Sequence, residues 1–404
     1  ATRMRLTSFA MRMVVALTAL GTGAAAATGG LRFGAPRLIG SAYYVTGFQG
    51  LGGSVAFGPT EAGTVLTTDS GQTWRKITLD PKWIGPGLLA ADGTSIHDMG
   101  AISRAASSDL EKPRTNFSAP NCTRAAMSAG GVFGSSTVAK EVTFSGLPAP
   151  GAFCATGKPL YGCPFRTGGR GYVRLADGTL VQSIIVYLGG KYANPQKNLA
   201  PYATSVVSFR SRDDGYTWAY AGMVLSAADA PHSQEGPNEN DLVLLADGKT
   251  IMCIVRLDAG DGKLTHPYVP YYRSVSTDGG FTWKASSLGE GVGCARPRLL
   301  GLGDGAIILS GGRLGPTNRD VIMWVNAAGD GYTWDAHSVT YWHNQLITNK
   351  SWAFTAAVNT SSERQSTSYT SLVQTGPQSG FVTYGRHLPP GPDLAFAMPF
   401  SFAQ

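Results

Sequence analysis

The stretch Ser276-Thr277-Asp278-Gly279-Gly280-Phe281-Thr282-Trp283 decides the fold prediction, because the chain repeats it. Two further full copies occupy residues 67–74 and 211–218, and a degenerate copy occupies residues 327–334. The full copies share the pattern S/T-x-D-x-G-x-T-W. In a turn, the aspartate side chain can accept hydrogen bonds from backbone amides, and glycine can adopt a positive φ. Each copy is therefore predicted to be a hairpin tip with a structural role and no catalytic one.

The intervals between the copies suit the blades of a propeller. Trp283 lies 65 residues after Trp218, and Trp334 lies 51 residues after Trp283, which is one four-stranded blade each. The 144 residues from Trp74 to Trp218 leave room for two steps with one copy lost. The motif resembles the Asp box (BNR repeat) of β-propellers. We therefore predict an all-β, six-bladed β-propeller with Asp-box hairpins over residues 35–404, in which the Pro- and Gly-rich stretch 146–169 is a loop.

The composition supports short strands and turns rather than long helices. Of the 404 residues, 43% are hydrophobic and 15% are charged, and the chain has 53 glycines and 23 prolines. Past the N-terminus, no apolar segment reaches the roughly 18 residues that a membrane-spanning helix needs, so stable membrane insertion is not expected. A net charge of +7 is too mild and too dispersed for a nucleic-acid-binding protein.

The N-terminal residues 1–30 have the pattern of a secretory signal peptide. The basic segment Met11-Arg12-Met13 precedes a short apolar run, and alanines follow up to residue 27. This pattern predicts a secreted protein, located outside the cell or in an endomembrane lumen. The alternative is a disordered, alanine-rich leader without a targeting role.

The five cysteines do not indicate a metal site. They form no C-x-x-C pair and no histidine cluster accompanies them, so neither a metal nor another cofactor is expected. In a secreted chain, Cys154 and Cys163 could pair across a short loop. Cys253 lies in an apolar strand and is predicted to be a buried thiol.

The stretch 238–256, NENDLVLLADGKTIMCIVR, predicts a second kind of hairpin. Two apolar runs flank Asp247-Gly248, which is a strong turn signal. The outer ends of such a hairpin meet, so Glu239 and Arg256 should lie close together. Taken alone, this pair could be a plain surface ion pair of little energetic value.

Further motifs resemble those of the sialidase (neuraminidase) superfamily. In that family an acid precedes a strand, a D/N-G turn follows, and the next strand ends in arginine, as Glu239 and Arg256 do here. Asn318-Arg319 resembles the family's third arginine, and Ser368-Tyr369-Thr370-Ser371-Leu372 resembles its tyrosine motif. Sorting receptors, photosystem assembly factors and some glucan hydrolases also carry Asp boxes, so the box alone does not identify a reaction.

The resemblance implies a retaining exo-α-sialidase that acts on sialylated or other acidic glycans. Arginines suit the carboxylate of sialic acid, and a tyrosine nucleophile escapes the repulsion that a carboxylate nucleophile would meet. The resemblance also implies that Tyr369 is the nucleophile and that Glu239 is its base. In the same comparison, Arg256 and Arg319 would bind the substrate carboxylate. The alternatives are a core tyrosine for Tyr369 and a surface arginine for Arg319.

Two members of the family's site are not clear from the sequence. For the first arginine, Arg37 has the expected order in the chain, Arg166 lies in a closer string match, and Arg298 begins a predicted inner strand. For the general acid we prefer Asp98, which is predicted to open an inner strand, over Glu61. A propeller that has lost activity and binds anionic glycans or a protein partner is the alternative function.

Overall fold

The computed structural model describes the central part of each sheet and many of the connections. The described residues are 30–42, 45, 47–77, 87–89, 95–98, 116–127, 133–148, 151–152, 172–188, 190–192, 204–233, 236–257, 269–289, 291–314, 320–354, 366–387 and 391–403. Residues 1–29 of the predicted leader lie outside these residues, as do Cys154 and Cys163. The chain is an all-β β-propeller.

The described strands form five sheets. The fifth sheet joins the two ends of the chain and contains β1 (Leu31–Phe33), β2 (Arg37–Ser41), β24 (Ser366–Gly376), β25 (Ser379–Arg386) and β26 (Leu394–Phe402). The first sheet along the chain contains β3 (Gln49–Gly52), β4 (Val55–Thr60), β5 (Gly63–Thr67) and β6 (Arg75–Ile77).

The second sheet has nine strands, and the third and fourth sheets have four each. The second sheet contains β7 (Gly87–Leu89), β8 (Ser95–Asp98), β9 (Phe117–Met127), β10 (Phe133–Ser145), β11 (Gly151–Ala152), β12 (Tyr172–Arg174), β13 (Leu180–Leu188), β14 (Thr204–Ser211) and β15 (Thr217–Leu225). The third contains β16 (Pro237–Leu244), β17 (Ile251–Leu257), β18 (Tyr272–Ser276) and β19 (Lys284–Ser287). The fourth contains β20 (Ala295–Gly301), β21 (Ile307–Leu314), β22 (Asp320–Asn326) and β23 (Asp335–Ser338).

Helices are few in the described residues. One α-helix, α1 (Val339–Leu346), follows β23, and two short 3-10 helices span Gly190–Tyr192 and Lys350–Trp352. Among the described residues, no helix has both the length and the apolar character needed to cross a membrane.

The prediction of six blades is wrong, because the propeller has five. Strand β10 runs parallel to β15, with Thr143 opposite Thr217 and Phe144 opposite Trp218. This pairing joins β7–β10 to β12–β15, so strands expected in separate blades hydrogen-bond within one nine-stranded sheet.

The apolar core lies between successive sheets. One cluster joins the second sheet to the third, for example Val206 with Leu242, and another joins the third to the fourth through Met252 and Trp324. Similar clusters join the fourth sheet to the fifth and the fifth to the first. These clusters pack the second, third, fourth, fifth and first sheets in that order as successive blades, and in a propeller the inner strands of the blades lie toward a shared axis.

The repeated turns close hairpins with recurring hydrogen bonds. In each full copy the aspartate Oδ1 accepts from the backbone N–H of the threonine four residues later, and the tryptophan Nε1 donates to the carbonyl of the glycine. These pairs are Asp69–Thr73 (2.9 Å), Asp213–Thr217 (2.8 Å), Asp278–Thr282 (2.9 Å), Trp74–Gly71 (3.1 Å), Trp218–Gly215 (2.9 Å) and Trp283–Gly280 (2.9 Å). In the degenerate copy, the Asn326 carboxamide accepts from Gly331 N (2.9 Å) and donates to Asp330 Oδ1 (3.0 Å).

Arginines link neighbouring sheets at these turns. Arg210 of the second sheet donates to the Gly279 carbonyl of the third, and its guanidinium lies 4.4 Å from the centroid of the Phe281 ring. Arg273 of the third sheet contacts the next turn in the same way, 3.9 Å from the centroid of the Tyr332 ring. The exposed aromatic rings of the turns are thus covered by cations from the preceding sheet.

Candidate functional site

The β16–β17 hairpin places a carboxylate against a guanidinium. The two strands pair antiparallel, and Gly248 supplies a positive φ of 66° at the turn. Arg256 Nη1 lies 2.7 Å from Glu239 Oε2, and each side chain is 16% exposed. A pair this sheltered is screened less by solvent than an ordinary surface ion pair.

Tyr369 of β24 completes the contact. Its hydroxyl hydrogen-bonds to the Glu239 carboxylate, and the residue is 9% exposed. Glu239, Arg256 and Tyr369 were each singled out from the sequence, and the structure brings all three together. They come from two sheets, with the hairpin in the third sheet and the tyrosine in the fifth.

A second arginine, Arg296, touches the same group. Its backbone N–H donates to Glu239 Oε2 at 2.9 Å, and its guanidinium carbon lies 4.8 Å from the centroid of the Tyr369 ring. From the same string, Cys294-Ala-Arg296-Pro-Arg298, the sequence singles out Arg298 as a further candidate beside the favoured Arg37. In a regular strand both arginines would point to one face, but an irregularity in the pairing of β20 with β21 lies between Ala295 and Arg298.

The charge state of Glu239 is set by these neighbours. Burial by itself would raise the pKa of the Glu239 carboxyl, because burial disfavours the charged form. The positive charges of Arg256 and Arg296, with hydrogen bonds from Arg256 and Tyr369, outweigh burial and lower the pKa to about 2. Glu239 is therefore ionised at neutral pH, and it accepts the hydrogen bond from the Tyr369 hydroxyl.

Arg298 of β20 contacts the neighbouring strand β24 through a backbone carbonyl. It is 4% exposed, and its Nε donates to the Thr370 carbonyl of β24 at 3.3 Å. Asp241 of β16 accepts from the Leu299 amide of β20 at 2.9 Å, and this bond joins β16 to β20. We call Asn240, Asp241, Arg298 and Thr370 the inner polar belt, since all four are buried. Asp241, Arg298 and Thr370 link β16, β20 and β24, while Asn240 accepts a hydrogen bond from Ser183 of β13.

Behind the charged group lies a neutral pair that the sequence analysis did not single out. The Tyr271 hydroxyl lies 3.1 Å from Cys294 Sγ and donates to the Ala295 carbonyl at 3.3 Å. Burial raises the pKa of Tyr271 well above its usual value and raises the pKa of Cys294 to about 12. Both groups therefore stay neutral, and they support the backbone just before Arg296.

The described contacts of the site do not include the remaining sequence-predicted residues. Arg37 is exposed on β2, which pairs with β26, and it has no described contact with Glu239. Glu61 is exposed at the turn between β4 and β5. Arg319 and Arg166 lie outside the described residues.

The prediction that Asp98 opens an inner strand is wrong. Asp98 ends β8, where it pairs with Gly87 in the nine-stranded sheet. The position of its side chain lies outside what the structure describes. A role for Asp98 as general acid therefore stays a prediction.

Within the described ranges, no group of three or more histidine, cysteine, aspartate or glutamate side chains could hold a metal ion. Cys253 is a buried free thiol, and so is Cys294.

Comparisons with known proteins support the fold. No protein-family model matches the chain, and no curated protein matches it. A protein of unknown function from Dyadobacter fermentans has a TM-score of 0.53 and 16% identity, over 93% of this chain and all (100%) of that one. At this identity, the likeness shows a common fold and nothing more.

Two further solved structures are more distant. A Hadza microbial sialidase has a TM-score of 0.49 and 15% identity, over 90% of this chain and 65% of that one. An α-L-arabinofuranosidase from Fusarium graminearum has a TM-score of 0.44 and 14% identity, over 92% of this chain and 97% of that one. These two likenesses are too weak to support a function. What the fold and the site define is a β-propeller that holds a tyrosine, a carboxylate and two arginines at one place.

Proposed function

We propose that the protein is a glycoside hydrolase of the exo-α-sialidase type, secreted by its predicted leader, in which Tyr369 is the nucleophile. The observation that carries this proposal is the hydrogen bond from the Tyr369 hydroxyl to the ionised Glu239 carboxylate. A tyrosine becomes a good nucleophile when a neighbouring base removes its proton. We also propose that the repeated turns are Asp boxes.

The reaction would proceed in two displacements at the anomeric carbon. In the first, the Tyr369 oxygen bonds to that carbon while the glycosidic C–O bond breaks. The phenolic proton passes to Glu239, and the departing oxygen takes a proton from a general acid or from water. In the second, a water oxygen bonds to the carbon, the bond to Tyr369 breaks, and Glu239 returns the proton to the phenolate. The released water proton restores the acid, and two inversions give retention.

The local charge favours an anionic substrate. Two guanidinium groups, of Arg256 and Arg296, accompany the single carboxylate of Glu239. Arginine pairs with carboxylates through charge-assisted bonds, so sialylated or related acidic glycans are the proposed substrates. Arg319 stays a predicted further ligand for the substrate carboxylate.

The alternative is a propeller without hydrolytic activity that binds anionic glycans. The exposure of Arg37 on β2 favours this alternative, because this candidate for the family's first arginine has no described contact with Glu239. If neither Asp98 nor Glu61 serves as acid, hydrolysis is limited to substrates with good leaving groups.

The test is an assay of the full chain on a fluorogenic α-sialoside, whose leaving group needs little protonation. We expect release by the parent protein and a loss of roughly 100-fold or more in Tyr369→Phe, which lacks the attacking oxygen. Tyr332→Phe is the matched control, since it removes one hydroxyl from an exposed repeated turn. No release by the parent protein would refute the hydrolase, and saturable binding of sialylated glycans would then favour the alternative.

A further inference from the structure

Arg296 has a backbone conformation that arginine rarely adopts. Its φ is +46°, in the region that favours glycine, and it precedes Pro297, which further restricts the residue before it. The pairing of β20 with β21 is interrupted at this point. Irregular pairing of this kind redirects the backbone and side chains of a strand, and strained residues cluster at functional sites.

The strained backbone directs two different groups of Arg296 at the candidate site. The amide donates to Glu239 Oε2 at 2.9 Å, the same oxygen that Arg256 Nη1 contacts at 2.7 Å. The side chain extends over the face of Tyr369, with 4.8 Å between the guanidinium carbon and the ring centroid. One residue thus holds both members of the Glu239–Tyr369 pair.

We propose that Arg296 is a positioning residue that fixes the Glu239–Tyr369 pair and stabilises negative charge as it develops on the Tyr369 oxygen. This inference rests on the proposed function for its consequence in catalysis, but the contacts are independent of it. The amide holds one carboxylate oxygen in place, so the carboxylate cannot turn away from the phenol. The guanidinium restrains the ring and places a positive charge beside it.

The pH behaviour of Tyr369 depends on every charged or titratable group packed near it. The groups on the neighbouring elements are Glu239 on β16, Arg256 on β17, Tyr271 beside β18, Cys294 beside β20, and Arg296 and Arg298 on β20. The Arg296 guanidinium lies against the face of the Tyr369 ring. Its removal should therefore shift the ionisation of Tyr369 to higher pH.

The test separates the two groups of Arg296 by substitution. Arg296→Gly keeps the amide and suits the positive φ, but it removes the guanidinium, while Arg296→Lys keeps a cation. Arg75→Gly is the matched control, because Arg75 is exposed on β6 at the edge of the first sheet. Arg296→Gly relieves the strain at the positive φ but loses the favourable charge beside Glu239, so we expect it to remain folded with a urea midpoint close to that of the parent.

In kinetics on the α-sialoside, we expect kcat to fall by about 30- to 100-fold in Arg296→Gly, with KM changed by less than about threefold. Arg296→Lys should recover at least about a third of this decrease when kcat is compared on a logarithmic scale. Arg75→Gly should have the kcat and KM of the parent. A rise in KM with kcat unchanged would overturn the inference, because Arg296 would then bind substrate rather than position the pair.

A second measurement does not need activity. The ionisation of Tyr369 is obtained as the difference in absorbance at phenolate wavelengths between the parent and Tyr369→Phe, titrated with base. The same difference is measured between Arg296→Gly and the Arg296→Gly, Tyr369→Phe double variant. We expect the midpoint to rise by about one pH unit or more without the guanidinium.

The kinetics and the titration together distinguish a failure of the proposed function from a failure of the positioning role of Arg296. An inactive parent with the expected titration shift would refute the proposed function and support the positioning contacts. An active parent, inactivated by Tyr369→Phe but with neither kcat nor the midpoint changed in Arg296→Gly, would refute the positioning role alone.

Discussion

The ion pair between Glu239 and Arg256 should contribute measurably to stability, and a double-mutant cycle with Glu239→Gln and Arg256→Met measures it. The Glu239 carboxyl has its pKa lowered from 4.5 to about 2. At about 1.4 kcal/mol per pH unit, this corresponds to roughly 3 kcal/mol between the two protonation states. Arg256 acts together with Arg296 and Tyr369, so only part of this energy belongs to the pair. Exposed pairs contribute up to about 1 kcal/mol, whereas breaking a fully buried one costs about 3–5 kcal/mol.

With each side chain 16% exposed, we expect a coupling energy between these limits, about 1.5–3 kcal/mol at pH 7. The folded-state pKa lies below the unfolded value. The stabilisation is therefore complete above about pH 4.5 and is lost as the pH falls toward about 2. The coupling should accordingly be smaller at pH 3 than at pH 7.

The assay is urea unfolding of the parent, the two single variants and the double variant at both pH values. The comparison requires equal slopes of free energy against urea concentration, so that a shift of the midpoint reports stability. A coupling below about 0.5 kcal/mol at pH 7 would refute the reasoning, since Arg256 would then not be what keeps Glu239 ionised. Equal coupling at pH 3 and pH 7 would refute it as well, because the interaction would not depend on the carboxylate charge.

Three further predictions concern the scaffold. Burial lowers the pKa of His343 to about 4, so the free energy of unfolding should fall by up to roughly 3 kcal/mol as the pH falls from 6.5 to 4. Urea unfolding of His343→Gln should lack this part of the pH dependence. Gly311→Ala should cost about 1–3 kcal/mol in the same measurement, because a Cβ there would clash with Cys294 Sγ, whereas Gly30→Ala, with open space around it, should be neutral. Asp278→Ala should lower thermal stability by about 1–2 kcal/mol, since its carboxylate accepts from four groups of its turn, and an unchanged melting temperature would contradict this.

The repeat was sufficient to predict the propeller, but not the number of blades. Strand and turn patterns are local, and the turns at Asp69, Asp213 and Asp278 have the hydrogen bonds that their sequence predicts. The parallel pairing of β10 with β15 joins segments about 70 residues apart in sequence, and neither segment carries a local signal for the other.

The site was predictable where it depends on one hairpin and was missed where it depends on backbone irregularity. Glu239 and Arg256 lie at the two ends of a hairpin whose turn is evident from Asp247-Gly248, and their 2.7 Å contact follows from that geometry. Arg296 is directed to the site by a positive φ before a proline, which residue preferences argue against. Arg298 looked equivalent by strand alternation, yet it donates to the Thr370 backbone.

The inner polar belt explains how residues from three sheets can meet within hydrogen-bond distance. Three of the four members of the site lie one or two residues before a member of the belt: Glu239 before Asn240, Arg296 before Arg298, and Tyr369 before Thr370. The bonds from the Leu299 amide to Asp241 and from Arg298 to the Thr370 carbonyl fix β16, β20 and β24 at one relative height. A slip of one residue in any of these strands would turn its site residue to the opposite face. The buried charges of the belt, although they cost desolvation, therefore determine the register on which the contact of Tyr369 with Glu239 depends.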